Sequence, residues 1–221
     1  CDDGDECTEG DACIKGQCVG GVGMVSTVAG GASPGFADGS GANVRFYRPR
    51  GIDVNANGEL VIGDYSNLRV RHMDAQGNVT TLAGTGSYGH TDGNANVARF
   101  KYIHDVEWGP NDSVYVADNS NYAIRVIDTK KKVVSTLAGA LKYATCADGK
   151  GATASIRNPY SLAVNGGAVY TATSCYRIYK ILPDGTTTTF TGTGKSTSAS
   201  YTSDGPKATA QIGEINGMDA D

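Results

Sequence analysis

The chain has 221 residues, 39% of them apolar, enough for one sizeable core and a small extra module. Its 19 basic and 23 acidic residues give a formal charge of −4, which supplies no general attraction for the phosphates of a nucleic acid. No apolar run approaches the roughly 20 residues that a membrane-spanning helix needs.

The first residue is Cys, and no charged segment followed by an apolar one comes after it. The expectation is a signal peptide upstream or already removed, and a chain cut from something longer. Cys1, Cys7, Cys13 and Cys18 crowd the start of the chain, a density that a short segment without its own core uses for disulfide staples in an oxidising compartment. The spacing lacks paired C-x2-C knuckles and no His lies nearby, which disfavours zinc. Four cysteines allow three pairings, and the spacing does not choose among them.

This C-x5-C-x5-C-x4-C segment, residues 1–19, resembles part of an EGF-like or related small disulfide module, joined by a Gly-rich linker at 20–24. Asp3-Gly4-Asp5-Glu6-Cys7 is similar to the start of calcium-binding EGF modules, although the downstream Asn and aromatic of that pattern are missing. The resemblance implies calcium on Asp3, Asp5 and Glu6, whose hard oxygens suit that cation. The other reading is a solvated acidic loop.

From residue 25 onward the chain repeats itself with a period of about 55 residues, far longer than a heptad and suited to a propeller or solenoid unit. Thr27-Val28-Ala29-Gly30 returns as Thr81-Leu82-Ala83-Gly84, Thr136-Leu137-Ala138-Gly139 and Thr189-Phe190-Thr191-Gly192. An Asp-Gly pair follows each, at Asp38, Asp92, Asp148 and Asp204, and at one fixed offset after each Asp stands a large apolar residue, Phe46, Phe100, Ile156 or Ile212. Next come alternating segments at 50–54, 103–107, 160–164 and 216–220, the pattern of half-buried strands. Each complete repeat holds four short β-like runs divided by Gly, Asn and Asp turns. The first has runs at 51–54, 59–63, 68–73 and 79–83.

Repeats that cannot hide their apolar faces alone stack on one another, and four-stranded antiparallel sheets arrayed radially leave only short, protected edges. The segments ADGSGANVRF, RPRGIDV, GELVIGDYSNLRVR and VTTLAG, in that order, resemble an extended NHL repeat. The resemblance implies an all-β fold, a β-propeller serving as a rigid binding platform, over residues 25–221. About three and a half blades fit, and Val25–Gly30 matches an outer strand, so closure is expected to need later sequence. The third copy is degenerate: Ala172 stands where Asp64 and Asp118 are expected to form turns.

Little points to catalysis. His72, His90 and His104 occupy three different positions in the repeat, so no ring of equivalent metal ligands is expected. No G-x-S-x-G elbow or phosphate loop is present. Asp38, Asp92, Asp148 and Asp204 are candidates for a partner-binding ring; the alternative is that each caps its own loop. Arg45, Arg48, Arg50, Arg69 and Arg71 could meet an anionic partner or pair internally and cover apolar surface. Cys146 and Cys175 are expected to form a disulfide in place of the lost turn chemistry. Asn78 and Asn111 head N-glycosylation sequons in expected turns.

The function expected is that of a non-enzymatic secreted or cell-surface scaffold with protein or glycan partners, self-assembly into a filament, appendage or matrix being one version. No cofactor is implied beyond calcium on the acidic module. The rival is a secreted propeller hydrolase or lyase using a channel metal. An RNA-binding platform is disfavoured by the charge and the cysteines.

Overall fold

The structure is a computed structural model and describes residues 12–14, 17–19, 26–139, 146–194 and 204–220. Strands β1 (Ala12–Ile14) and β2 (Gln17–Val19) pair antiparallel with Cys13 opposite Cys18. Cys1, Cys7, Asp3, Asp5, Glu6, the linker at 20–24 and the side-chain pairing of Cys13 and Cys18 lie outside the described residues.

Three antiparallel sheets follow. The first contains β3 (Gly39–Ser40), β4 (Pro49–Val54), β5 (Leu60–Asp64), β6 (Arg69–Met73) and β7 (Asn78–Ala83). The second contains β8 (Gly93–Asn94), β9 (Ile103–Gly109), β10 (Ser113–Asp118), β11 (Ala123–Asp128) and β12 (Val133–Ala138). In the third are β13 (Gly149–Lys150), β14 (Pro159–Asn165), β15 (Ala168–Thr173), β16 (Arg177–Ile181) and β17 (Thr186–Thr191). Four strands of each sheet run as a meander from the innermost outward, and the two-residue strand adds a fifth at the outer edge, as in the order β3-β7-β6-β5-β4. The expected four-stranded blade is thus present with one addition, too short to leave an alternation in the sequence. Residues 26–30, expected as an outer strand, form none.

The sheets are blades of a β-propeller. Their innermost strands β4, β9 and β14 lie side by side, and the sheets pack face to face through apolar clusters. Val61, Val70 and Ala83 of the first sheet meet Phe100, Val106, Val116 and Ile127 of the second; Tyr115, Ala117 and Ile124 meet Ile156, Leu162, Val169 and Ile181 of the third. Strand register shows what this packing does. Ile52 pairs with Ile62, Val106 with Val116, and Leu162 with Thr171, one position in three blades. Val106 and Leu162 are fully buried by the preceding blade, whereas Ile52 is 59% exposed on the open face of the first. At Gly51 the inner strands come so close that a Cβ would collide with Asp105.

The two most regular motifs are the halves of one contact. A bulge in each outer strand leaves Leu82, Leu137 and Phe190 without a partner. The residue before each, Thr81, Thr136 or Thr189, lies past the end of the two-residue edge strand. The Asp immediately before that edge strand supplies the acceptor. Asp38 accepts from the Thr81 amide and hydroxyl (both 3.2 Å), Asp92 from Thr136 (3.1 and 3.2 Å), and Asp148 from Thr189 (2.8 and 2.7 Å). The Gly ending each Thr-x-Ala-Gly segment turns the chain with φ of +106° at Gly84 and +109° at Gly139. A Cβ on Gly139 would strike the Tyr122 carbonyl, so only glycine fits.

Candidate functional site

The face at which the inner strands begin is built on a buried polar hub, repeated in the first two blades. Asp64 and Arg71 are both fully buried. Asp64 Oδ1 accepts from the Tyr47 amide at 2.8 Å, and its Oδ2 from Asn67 Nδ2 and Arg71 Nη1, each at 2.8 Å. Arg71 also donates to the carbonyls of Arg45 (3.2 Å) and Ala37 (2.8 Å) and to Asp38 (2.6 Å), and its guanidinium lies 5.2 Å from the Phe46 ring centre. In the second blade Asp118, Asn121, Arg125, Asp92 and Phe100 reproduce every contact. Burial pushes the Asp118 carboxyl up, against the pull of Arg125, Asn121 and the Lys101 amide, and the 2.8 Å bond to the equally buried Arg125 is what compensates its charge. Asp64 and Asp118, expected as turn formers, hold the turn, the outer loop and the entry to the inner strand together.

The third blade keeps Asp148 and replaces the rest of the hub. By strand register the residue in the place of Asp64 and Asp118 is Thr173, opposite Arg177 as Asp64 is opposite Arg69; the expected Ala172 is one position off because the following turn is a residue shorter. Tyr179, fully buried, takes the place of Arg71 and Arg125, and Ile156 that of the Phe under the guanidinium. Cys175 takes the place of Asn67 and Asn121. Where those asparagines tie the turn to the outer loop through the carbonyls of Gly35 and Gly89, Cys175 does so by a disulfide to Cys146, Cα to Cα 5.8 Å. Arg177 supports the loop by donating to the Cys146 carbonyl at 2.9 Å.

On this frame each repeat enters its inner strand through a non-glycine residue of positive φ, Arg48 (54°), Tyr102 (60°) and Asn158 (42°). The hub keeps this backbone in place, and beside it stands an aromatic and basic arc. Tyr65 stacks on Tyr102 with ring centres 4.8 Å apart, and the Tyr102 hydroxyl is 2.9 Å from that of Tyr88. The Arg50 guanidinium lies 4.2 Å from the Tyr65 ring centre. Its Nη1 is 3.1 Å from Nδ1 and 3.2 Å from Nε2 of His104, which borders Tyr160 at 5.4 Å. Burial, aided by the Arg50 charge, brings the His104 imidazole down to about 4, so it is neutral at pH 7.

The arc opens into a groove of about 570 Å³ along the inner strands, lined among others by Arg50, Asp53, His104, Glu107, Tyr160 and Asp219. Two of its carboxylates stitch neighbouring blades: Asp53 accepts from the Trp108 amide (2.8 Å) and Asp105 from the Leu162 amide (2.7 Å). Burial raises the Asp105 carboxyl to about 6. Glu107 is pushed up to about 9, by burial first and then by Asp53, to which it is hydrogen-bonded, Asp105 and Asp219. At neutral pH Glu107 therefore keeps its proton.

Such a group contributes stability that is full below the unfolded value near 4.5 and is lost as pH rises through about 9. Glu107→Gln keeps a donor toward Asp53 and removes the titration. Its Tm is expected to change less than that of the wild type between pH 5 and 9, the advantage of the variant growing with pH; parallel curves from scanning calorimetry would contradict this.

Of the residues singled out in the sequence, Asp38, Asp92 and Asp148 direct their carboxylates to Thr side chains and amides of their own blades, and Asp204 is exposed. Arg71 is internal, and Arg69 donates to the Asn67 and Thr85 carbonyls over the Phe36 ring; Arg45, Arg48 and Arg50 are exposed. Asn78 and Asn111 are exposed, Asn78 donating to Asp74 at 2.9 Å. His72, His90 and His104 stand apart, and among the described residues no three His, Cys, Asp or Glu side chains are arranged to hold a metal. Sequence reasoning missed the tyrosine arc. Its signal lay in Tyr47-Arg48-Pro49-Arg50, Lys101-Tyr102-Ile103-His104 and Arg157-Asn158-Pro159-Tyr160, which put aromatic and basic residues at one register.

Residues 46–73, which run from Phe46 through the hub to the end of β6, match the family model of the NHL repeat. The chain carries an NHL repeat. It is 33% identical over 107 residues to human NHL repeat-containing protein 2, covering 47% of this chain and 15% of that protein. It is 34% identical over 95 residues to Protein SUPPRESSOR OF QUENCHING 1, chloroplastic, of Arabidopsis thaliana, covering 42% of this chain and 9% of that one. The chain thus spans a small part of the length of these relatives. Among solved structures, an auxiliary nutrient binding protein from Bacteroides thetaiotaomicron superposes with a TM-score of 0.60 at 18% identity, over 80% of this chain and 44% of that one. One from Bacteroides ovatus gives 0.52 at 17% identity, over 68% and 37%. Both likenesses are of fold.

Proposed function

We propose that this NHL-repeat propeller is a secreted or cell-surface, non-enzymatic scaffold that binds a protein or glycan partner through the face at which its inner strands begin, within a filament, appendage or matrix. The observation that carries the reading is Arg50, an exposed guanidinium held by Tyr65 and His104 with no carboxylate partner among the described residues. Pre-positioned side chains on a rigid frame are what a recognition surface needs. The disulfide between Cys146 and Cys175 and the four cysteines of the 1–19 segment support an oxidising compartment.

The test is binding of the purified chain to panels of glycans and extracellular matrix proteins, with metal analysis and turnover assays on glycosides and esters alongside. A saturable partner, with no turnover, is the expected result. The protonated Glu107 beside Asp53 favours a second reading, a hydrolase or lyase, because perturbed carboxyls gather at catalytic sites; turnover that Glu107→Gln abolishes would put that reading first.

A further inference from the structure

We propose that the groove beside Arg50 binds an acidic sugar, with one carboxylate on the Arg50 guanidinium and the sugar hydroxyls donating to Asp53, Glu107 and Asp219. This rests on the scaffold reading and names its ligand. Arg50 projects from the start of β4, and its planar fork is fixed before any ligand arrives, by the Tyr65 ring at 4.2 Å and His104 at 3.1 Å. Tyr65 is in turn held by Tyr102, and Tyr102 by Tyr88. A guanidinium is planar and carries parallel N–H donors, the match for a carboxylate, and these two contacts restrict its movement.

Charge layout decides the rest of the ligand. With His104 neutral, Arg50 is the one cationic side chain among the described residues lining the groove, while Asp53, Asp105, Glu107 and Asp219 line the remainder. A polyanion such as a nucleic acid, a polyuronate or a heavily sulfated glycan would meet those carboxyls with its second charge. A molecule with a single carboxylate and many hydroxyls meets acceptors instead. The volume of about 570 Å³ lies within the range of small-ligand sites and suits a disaccharide.

The test is isothermal titration of the full chain with three probes: a disaccharide ending in glucuronic acid, its neutral counterpart and a disulfated disaccharide. The uronate is expected to bind at one site per chain. The neutral sugar should bind about 10- to 100-fold more weakly, the loss of a charge-assisted contact, and the disulfated one more weakly than the uronate. Arg50→Gln should reduce uronate binding by the same factor while leaving the thermal midpoint unchanged, since the side chain is exposed; Arg50→Lys, which keeps the charge and loses the fork, should fall between. Equal affinity for the neutral sugar, no uronate binding, or full binding by Arg50→Gln would overturn the proposal. If another partner from the panels binds wild type and Arg50→Gln equally, the acidic-sugar site falls and the scaffold reading stands; if no partner binds at all, both fall.

Discussion

Arg125→Leu is expected to destabilise the protein by about 3–5 kcal/mol, the usual cost of removing one partner of a buried pair. Arg125 is fully buried, bonds to the equally buried Asp118 at 2.8 Å, and ties the Arg99 and Thr91 carbonyls and Asp92 to the blade. Leu fills much of the space but leaves the Asp118 charge in an apolar surrounding with only Asn121 and the Lys101 amide as donors. Adding Asp118→Asn removes that charge and keeps an acceptor for Lys101, so the double variant should recover about 1–2 kcal/mol of the loss. Urea unfolding of the wild type, both single variants and the double variant reads the coupling directly. If Arg125→Leu lies within about 0.5 kcal/mol of the wild type, in the range of ordinary surface substitutions, the hub is not what holds the second blade together.

Much of this fold was legible because two motifs that touch must recur together. Asp38, Asp92 and Asp148 return with the period of Thr81, Thr136 and Thr189 because each Asp caps the Thr amide beside the bulge. The strands of the meander were legible for the same reason, since each blade buries one alternating face on the next. What escaped was of three kinds. A two-residue strand has no alternation to read. The hub arginines look like surface cations, because nothing local distinguishes Arg71, buried over Phe46, from Arg50, exposed over Tyr65; only the matching losses in the third blade, Phe to Ile156 and Arg to Tyr179, show that the pair acts as one. Counting back without gaps from Tyr179, as Asp64 and Asp118 precede Arg71 and Arg125, puts Ala172 at the hub position, and the shorter turn before Cys175 moves it to Thr173. The aromatic and basic arc was the least legible, since Tyr65, Tyr102, Arg50 and His104 come from two repeats and are joined only when the inner strands lie side by side.

The second large effect falls in the third blade, where no buried carboxylate and arginine hold the outer loop to the turn. A cross-link at a sequence separation of 29 stabilises by restricting the unfolded chain, by about 3–4 kcal/mol for a loop of this length. Converting both Cys146 and Cys175 to Ser should therefore lower the Tm by about 10 °C at the roughly 2–4 °C per kcal/mol of a domain this size. Substitution is the sharper test, because a reductant would also act on any cross-links among Cys1, Cys7, Cys13 and Cys18. The double Ser variant should also exchange the amides of the 146–157 loop faster than the corresponding loop of the second blade, whose Asn121 and Arg125 anchors remain. An unchanged Tm with unchanged exchange would mean that Arg177, donating to the Cys146 carbonyl, together with the Asp148 cap on Thr189, already suffices to seat that loop.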